Sequence, residues 1–170
     1  PAEPVMTRVP IAETHAVDPP ATQRVASALA PHLAVGDVVA LRGDLGAGKS
    51  VFARAVIHSC GLAGVDVPSP TFTLVQTYAG RRAGQALDIA HLDCFRLEDP
   101  EEALELGLDE LMADHLCLIE WPDRIAPYLP ADRLDVTIEI AADGGRFIAL
   151  AGGRRWSDRL ADADLSGATP

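Results

Sequence analysis

The sequence predicts an α/β protein: a three-layer fold around a mostly parallel sheet, with antiparallel hairpin additions. Three observations point there. Short apolar runs of strand type, residues 38–41 and 116–119, alternate with helical patterns, as in sheets buried on both faces. A glycine-rich segment, Gly43-Asp44-Leu45-Gly46-Ala47-Gly48-Lys49-Ser50, joins the first run directly to a helix. Later in the chain, β-rich segments face each other across turn signals.

The elements follow in order. Residues 1–17 are Pro-rich at their start and are expected to be ragged. Asp18-Pro19-Pro20-Ala21-Thr22 opens a helix, and Val25, Leu29 and Leu33 continue it as one apolar stripe to about residue 34. Gly36-Asp37 turns the chain into the strand at 38–41. A second helix covers 51–58 and ends at Gly61, with loop to residue 69. Residues 71–78 are β-rich, 80–84 read as a turn, and 86–92 as the returning strand. Asp99-Pro100-Glu101-Glu102 starts a further helix, with Asp as cap and acids on the positive end of the dipole. Leu104, Leu108 and Leu111 carry its stripe, and Gly107 breaks it. The run 116–119 ends at Glu120. Residues 134–141 and 147–151 form a hairpin through Asp143-Gly144-Gly145. The Ala/Asp-rich segment 157–170 reads as a flexible tail, leaving one domain over residues 18–156.

Composition excludes several classes. The net charge of −11 argues against autonomous nucleic-acid binding, which needs a basic surface to displace counterions. Arg154-Arg155 with Arg159 is a small exception and reads as a solvated, charge-balanced tail. Cys60, Cys94 and Cys117 are odd in number and far apart, without a C-x-x-C, so they read as reduced residues in or near the core. No apolar run is long enough to span a membrane, and residues 1–10 lack the order of a signal peptide, so a cytoplasmic location is expected.

The glycine-rich segment is a complete phosphate-binding loop, G-x-x-x-x-G-K-[ST]. Its Lys49 is the only lysine among 14 cationic side chains, the others being arginine. A slim ammonium can reach between phosphates where the broad guanidinium fork cannot. The glycines let successive N–H groups turn inward on an anion, and the helix N-terminus adds its dipole. Residues 44–50 are therefore the expected nucleotide contacts, and the Ser50 hydroxyl is a hard oxygen ligand for Mg²⁺.

Turnover also requires an acid at the end of a neighbouring strand, to hold Mg²⁺ or orient the attacking water. Glu120 fits that Walker-B position, and Asp93 is a second candidate. In open sheets ligands sit at the carboxyl ends of strands, where the loop, Asp93 and Glu120 all fall. His91 could position Asp93 or be an ordinary hydrogen-bonded structural residue. Ser69-Pro70-Thr71 could reach a γ-phosphate as a switch segment does, or simply open a strand.

Four segments together resemble one family: the loop at 43–50, Ser69-Pro70-Thr71-Phe72-Thr73-Leu74-Val75, His91-Leu92-Asp93-Cys94-Phe95-Arg96-Leu97, and Glu120-Trp121-Pro122. In order and spacing they look like the TsaE (YjeE-type) P-loop ATPases of bacteria, over about residues 18–152. The resemblance implies a Mg²⁺-dependent ATPase, slow alone, that supports formation of N6-threonylcarbamoyladenosine at tRNA position 37. It implies action on a TsaB–TsaD heterodimer rather than the transfer itself, with tRNA met only through that complex. It implies that Lys49 contacts phosphates, Ser50 and Glu120 hold Mg²⁺, and Asp93 is an activity-determining acid near the γ-phosphate and a further metal candidate. Thr71 looks like a switch position, and Trp121 a residue that packs or signals beside the site. Phe95 stands where the family usually has Tyr, so a role for that hydroxyl is absent. Ser50 replaces the common Thr but keeps the hydroxyl.

Two rivals are weaker. A GTPase needs an Asn-Lys-x-Asp element, and the only lysine is already in the loop. A small-molecule or nucleotide kinase needs an acceptor pocket and an arginine-rich lid, for which Arg81-Arg82 is the nearest candidate, although a solvated turn suits that pair better. For the adenine, position alone suggests Asp18 and its neighbours or Asp132-Arg133.

Overall fold

The computed structural model describes residues 8–168. Seven strands form one sheet in the order β1-β7-β6-β2-β5-β4-β3. They are β1 (Val9–Ala16), β2 (Val38–Arg42), β3 (Val75–Arg82), β4 (Gln85–Asp93), β5 (Leu116–Glu120), β6 (Leu134–Ile140) and β7 (Arg146–Gly152). The helices are α1 (Pro19–Leu29), α2 (Lys49–His58), α3 (Glu102–Glu105), α4 (Leu108–Asp114) and α5 (Arg154–Arg159). The four central strands β6, β2, β5 and β4 run parallel, and β3, β7 and β1 add antiparallel pairs at the two edges. The expected α/β class with hairpin additions is therefore what the chain adopts.

Strand alternation divides the apolar residues between two cores, one on each face of the sheet. On β5, Leu116 and Leu118 join Phe52, Ile57, Leu29 and Trp156 on the face covered by α1, α2 and α5. Cys117 and Ile119 point the other way, against Leu108, Ala103 and Ile125. At about 25 cal/mol per Å² of apolar area, burial on both faces is what makes these short strands worth ordering. On the first face, β4 continues from Ile89 to His91 and Asp93, and β5 from Leu118 to Glu120. That face thus changes from apolar to polar at the carboxyl end.

Local chemistry explains the elements. Asp18 caps α1, its Oδ1 accepting from the Ala21 N–H at 2.9 Å. The α-helix stops at Leu29 and tightens into a 3-10 turn, Ala30–His32. Pro31 has no N–H to continue the ladder, so the helix is shorter than its apolar stripe. Gly107 does interrupt the later helical stretch, which divides into the short α3 and the seven-residue α4. The three cysteines are free and buried.

Three expectations are corrected. Within the segment expected to be ragged, residues 9–16 form β1, paired antiparallel with β7. Its Ile11 and Ala12 pack on the core, and Pro10 lies at the ladder's irregularity, tolerated because this strand is at the sheet edge. The expectation for residues 1–7 lies outside the described residues. The tail beyond residue 156 is not loose either: Leu160 and Leu165 are buried beside Trp156. Thr14 donates to the Leu165 carbonyl and Arg24 to that of Gly167. Three apolar anchors are few by composition yet enough when a core face awaits them. Finally, Arg81 and Arg82 are strand residues, because the β3–β4 ladder runs on to Arg82 opposite Gln85.

Candidate functional site

The 43–50 loop leaves β2 and enters α2 at Lys49. Gly43 and Gly48 show why glycine is required. A Cβ at Gly43 would sit 2.5 Å from the Ile138 carbonyl oxygen, and Gly48 has φ +113°, which L side chains rarely adopt. Lys49 is buried, and its Nζ donates to the carbonyls of Gly43 (2.6 Å) and Asp44 (2.9 Å). It also lies 4.2 Å from the centre of the Trp121 ring. Burial lowers the Lys49 pKa below its ordinary value, against the opposing pull of Glu120, Asp93 and Asp44.

Trp121 reaches that position through a left-handed backbone, φ 55° and ψ 52°, directly after β5. For a bulky residue this conformation is uncommon and costs about 1 kcal/mol or more. Phe95 packs on the same indole at 4.9 Å between ring centres. The ring at position 95 thus supports Trp121, and this contact needs no tyrosine hydroxyl.

Two acids end neighbouring strands, with Asp93 opposite Glu120 in the β4–β5 register. Both are buried. Ser50 Oγ donates to Glu120 at 2.9 and 3.2 Å, and His91 Nε2 lies 2.6 Å from Glu120 Oε2. His91 therefore contacts Glu120 and not Asp93, the partner that one of its two readings suggested. Diagonal placement across the parallel pair explains it, since His91 stands opposite Leu118, one same-face step below Glu120. Asp93 accepts from Thr71 Oγ1 (3.1 Å) and from the Phe95 N–H (3.0 Å). Ser69 completes that group, its hydroxyl 2.8 Å from Thr71. Lys49, Ser50, Thr71, Asp93, Glu120 and Trp121 line one cleft over the loop, together with Leu45, Gly46 and Gly48.

The chemistry of the donor set suits Mg²⁺. A hydroxyl and a carboxylate stand side by side, with a second carboxylate on the adjoining strand end. No group of three or more His, Cys, Asp or Glu side chains among the described residues could cage an ion. Mg²⁺ accepts such a sparse protein set because it keeps waters and takes phosphate oxygens.

A second cavity lies on the other side of the loop, lined by Asp18, Thr22, Ala47, Gly48 and Arg146 among others. Of the positional candidates for the adenine, Asp18 is at this cavity. Asp132 and Arg133 are not: they precede β6 and are engaged with Arg155 and Asp135. Arg146 was not legible in the sequence. It begins β7, and its guanidinium donates to the carbonyls of Ala47 (2.6 Å) and Gly46 (3.2 Å), pinning the loop from the side. Only the Gly144-Gly145 turn before it hinted at anything, and turns of that kind are common. Arg81 and Arg82 lie at the opposite end of β3 from Val75, and Arg82 donates to the Ala30 carbonyl, far along the strand from any phosphate lid.

A three-layer sheet with a phosphate-binding loop between its central strand and the following helix defines an α/β protein of the P-loop NTPase fold. The comparisons narrow the class. The family model for "Threonylcarbamoyl adenosine biosynthesis protein TsaE" matches residues 16–148. The Bacillus subtilis (strain 168) tRNA threonylcarbamoyladenosine biosynthesis protein TsaE is 38% identical over 135 residues, covering 79% of this chain and 81% of the relative. The Rickettsia felis protein of the same name is 39% identical over 130 residues, 76% and 73% of the two chains. The crystal structure of Bacillus subtilis YdiB superposes with a TM-score of 0.72 at 28% identity, covering 94% of this chain and 95% of that one. The chain belongs to the TsaE family of threonylcarbamoyl adenosine biosynthesis proteins. Among the described residues no helix is long and apolar enough to cross a membrane.

Proposed function

We propose that this protein binds ATP with Mg²⁺ and hydrolyses it as a component of the complex that forms N6-threonylcarbamoyladenosine at tRNA position 37. In this reading it acts on a TsaB–TsaD-like heterodimer in the cytoplasm and leaves the transfer itself to the partners. One observation carries the reading: the only lysine, the Ser50 hydroxyl and two buried acids from adjacent strand ends converge on one phosphate-binding loop.

The residues then divide the work. Backbone N–H groups of residues 44–50 cradle the phosphates, and Lys49 exchanges its two loop carbonyls for phosphate oxygens. Ser50 and Glu120 hold Mg²⁺, with Asp93 a further ligand or a ligand of its water. Bound Mg²⁺ supplies charge neutralisation at the β- and γ-phosphates. Asp93 would orient the attacking water, with Thr71, which donates to it, as the switch position. Asp18, Thr22 and Arg146 frame the space for the base. At net charge −11 the chain meets tRNA through its partners.

The test is ATP hydrolysis by the protein alone and with a matching TsaB–TsaD pair. A low basal rate that rises with the pair is expected. Absence of stimulation despite good ATP binding would move the reading to a kinase or an unrelated nucleotide switch, and phosphate transfer to an added acceptor would single out the kinase. Lys49→Ala is expected to weaken ATP binding by about 100-fold or more, and unchanged affinity in a titration would remove the loop from the account.

A further inference from the structure

His91 is a polar ring almost wholly inside the protein, at 1% exposure. Its Nδ1 has no hydrogen-bond partner among the described residues, and its Nε2 has one, the Glu120 carboxylate at 2.6 Å. A carboxylate oxygen only accepts, so Nε2 carries the hydrogen. An imidazole kept for packing alone could be replaced by an apolar side chain without leaving a buried acceptor unmatched. Here the ring leaves one nitrogen unmatched and spends the other on a site acid.

Glu120 shows what the ring is for. The carboxylate is buried, and no Lys or Arg side chain among the described residues pairs with it. Its side-chain hydrogen bonds come from Ser50 and His91. Under the proposed function Ser50 has a second duty, since its oxygen also serves the cation. His91 has no such duty: it sits behind the carboxylate on β4, one same-face step inward from Asp93. We propose that His91 is a positioning residue, the fixed donor that holds the Glu120 carboxylate in the orientation from which it serves Mg²⁺. Residues that orient a metal-binding carboxylate through a hydrogen bond typically affect metal affinity or activity by about 10- to 100-fold.

The inference rests on the Mg–ATP reading, and the experiment separates the two. Mn²⁺ serves as a paramagnetic probe, titrated into the full chain with ADP and followed by electron paramagnetic resonance, in parallel with ADP titrations without metal. In His91→Leu, Mn²⁺ affinity is expected to fall about tenfold or more while metal-free ADP affinity changes by less than about twofold. His91→Gln, whose amide can still donate, is expected to recover part of the loss. A merely structural histidine would lower the melting temperature of both variants and leave the Mn²⁺ affinity of the folded protein untouched, and that outcome overturns the proposal. If His91→Leu does not fold, the wild-type imidazole N–H resonance decides. It is expected to shift or vanish in Glu120→Ala, and an unmoved resonance overturns the proposal. Absence of ADP-dependent Mn²⁺ binding in the wild type would overturn the Mg–ATP reading and this inference with it. Intact wild-type binding that His91→Leu leaves unchanged overturns this inference alone.

Discussion

Four carboxylates are buried among the described residues, and they fall into two pairs that the protein treats in opposite ways. Asp37, just before β2, faces Arg155 and Arg159 and also accepts from the Ala34 N–H. Asp135, on β6, is ringed by Arg8, Arg42 and Arg133. Asp93 and Glu120 have no arginine, and their donors are hydroxyls, an imidazole and a backbone N–H. The single lysine nearby turns its ammonium to loop carbonyls instead. A buried carboxylate without a countercharge is expensive. Where the chain supplies arginines the acid serves the fold. Where it withholds them, the acid lines the cleft over the loop, as the proposed Mg²⁺ role requires.

The largest test of this contrast is at the unpaired acids. Glu120→Ala and Asp93→Ala are each expected to keep nucleotide binding and to lower ATP turnover by about 100-fold or more. Parent rates in both variants would mean the site is drawn wrongly. At the paired end the loss is in stability. Trp156 is fully buried and carries the Arg159 guanidinium 4.2 Å from its ring centre. Trp156→Ala is expected to destabilise by about 3 kcal/mol or more in denaturant unfolding. A loss below about 1 kcal/mol would mean that the C-terminal segment contributes little.

A smaller effect sharpens the comparison because its sign differs between the ends. Asp37→Asn is expected to destabilise by about 2 kcal/mol, discounted because Arg155 and Arg159 can regain water. Glu120→Gln removes a buried charge that no Lys or Arg side chain among the described residues pairs with, and is expected to leave the melting temperature unchanged or higher. Equal destabilisation by both would erase the distinction. The smallest effect concerns the thiols: burial pushes Cys94 and Cys117 up to about 12, so at pH 8 both stay protonated. Native protein is expected to leave both unlabelled by a thiol reagent over the time in which unfolded protein reacts fully.

Much of the candidate site can be read from the sequence. The loop, Ser50, Asp93 and Glu120 are local signals, each a short pattern at a strand end. Thr71 was readable from its segment as a switch candidate or as the opening of a strand, the resemblance favoured the switch, and the structure adds its hydrogen bond to Asp93. Of the two readings of His91, the one that paired it with Asp93 followed proximity along the chain, whereas the sheet register brings the ring to Glu120. Arg146 was invisible, since nothing in its neighbours says that β7 passes beside the loop.

By itself the sequence determined the order of strands and helices between residues 18 and 152, the glycine-rich loop and the acids that follow apolar strands. These depend on periodicity, glycine geometry and residue chemistry within a few positions of each other. Only the tertiary structure decided that residues 9–16 close the sheet edge and that the C-terminal segment belongs to the core. It also decided which buried acids meet arginines. Most of those outcomes depend on contacts between residues far apart in the chain, such as Arg159 with Asp37 and Thr14 with Leu165. Their loop-closure entropy is offset only when the whole sheet forms at once.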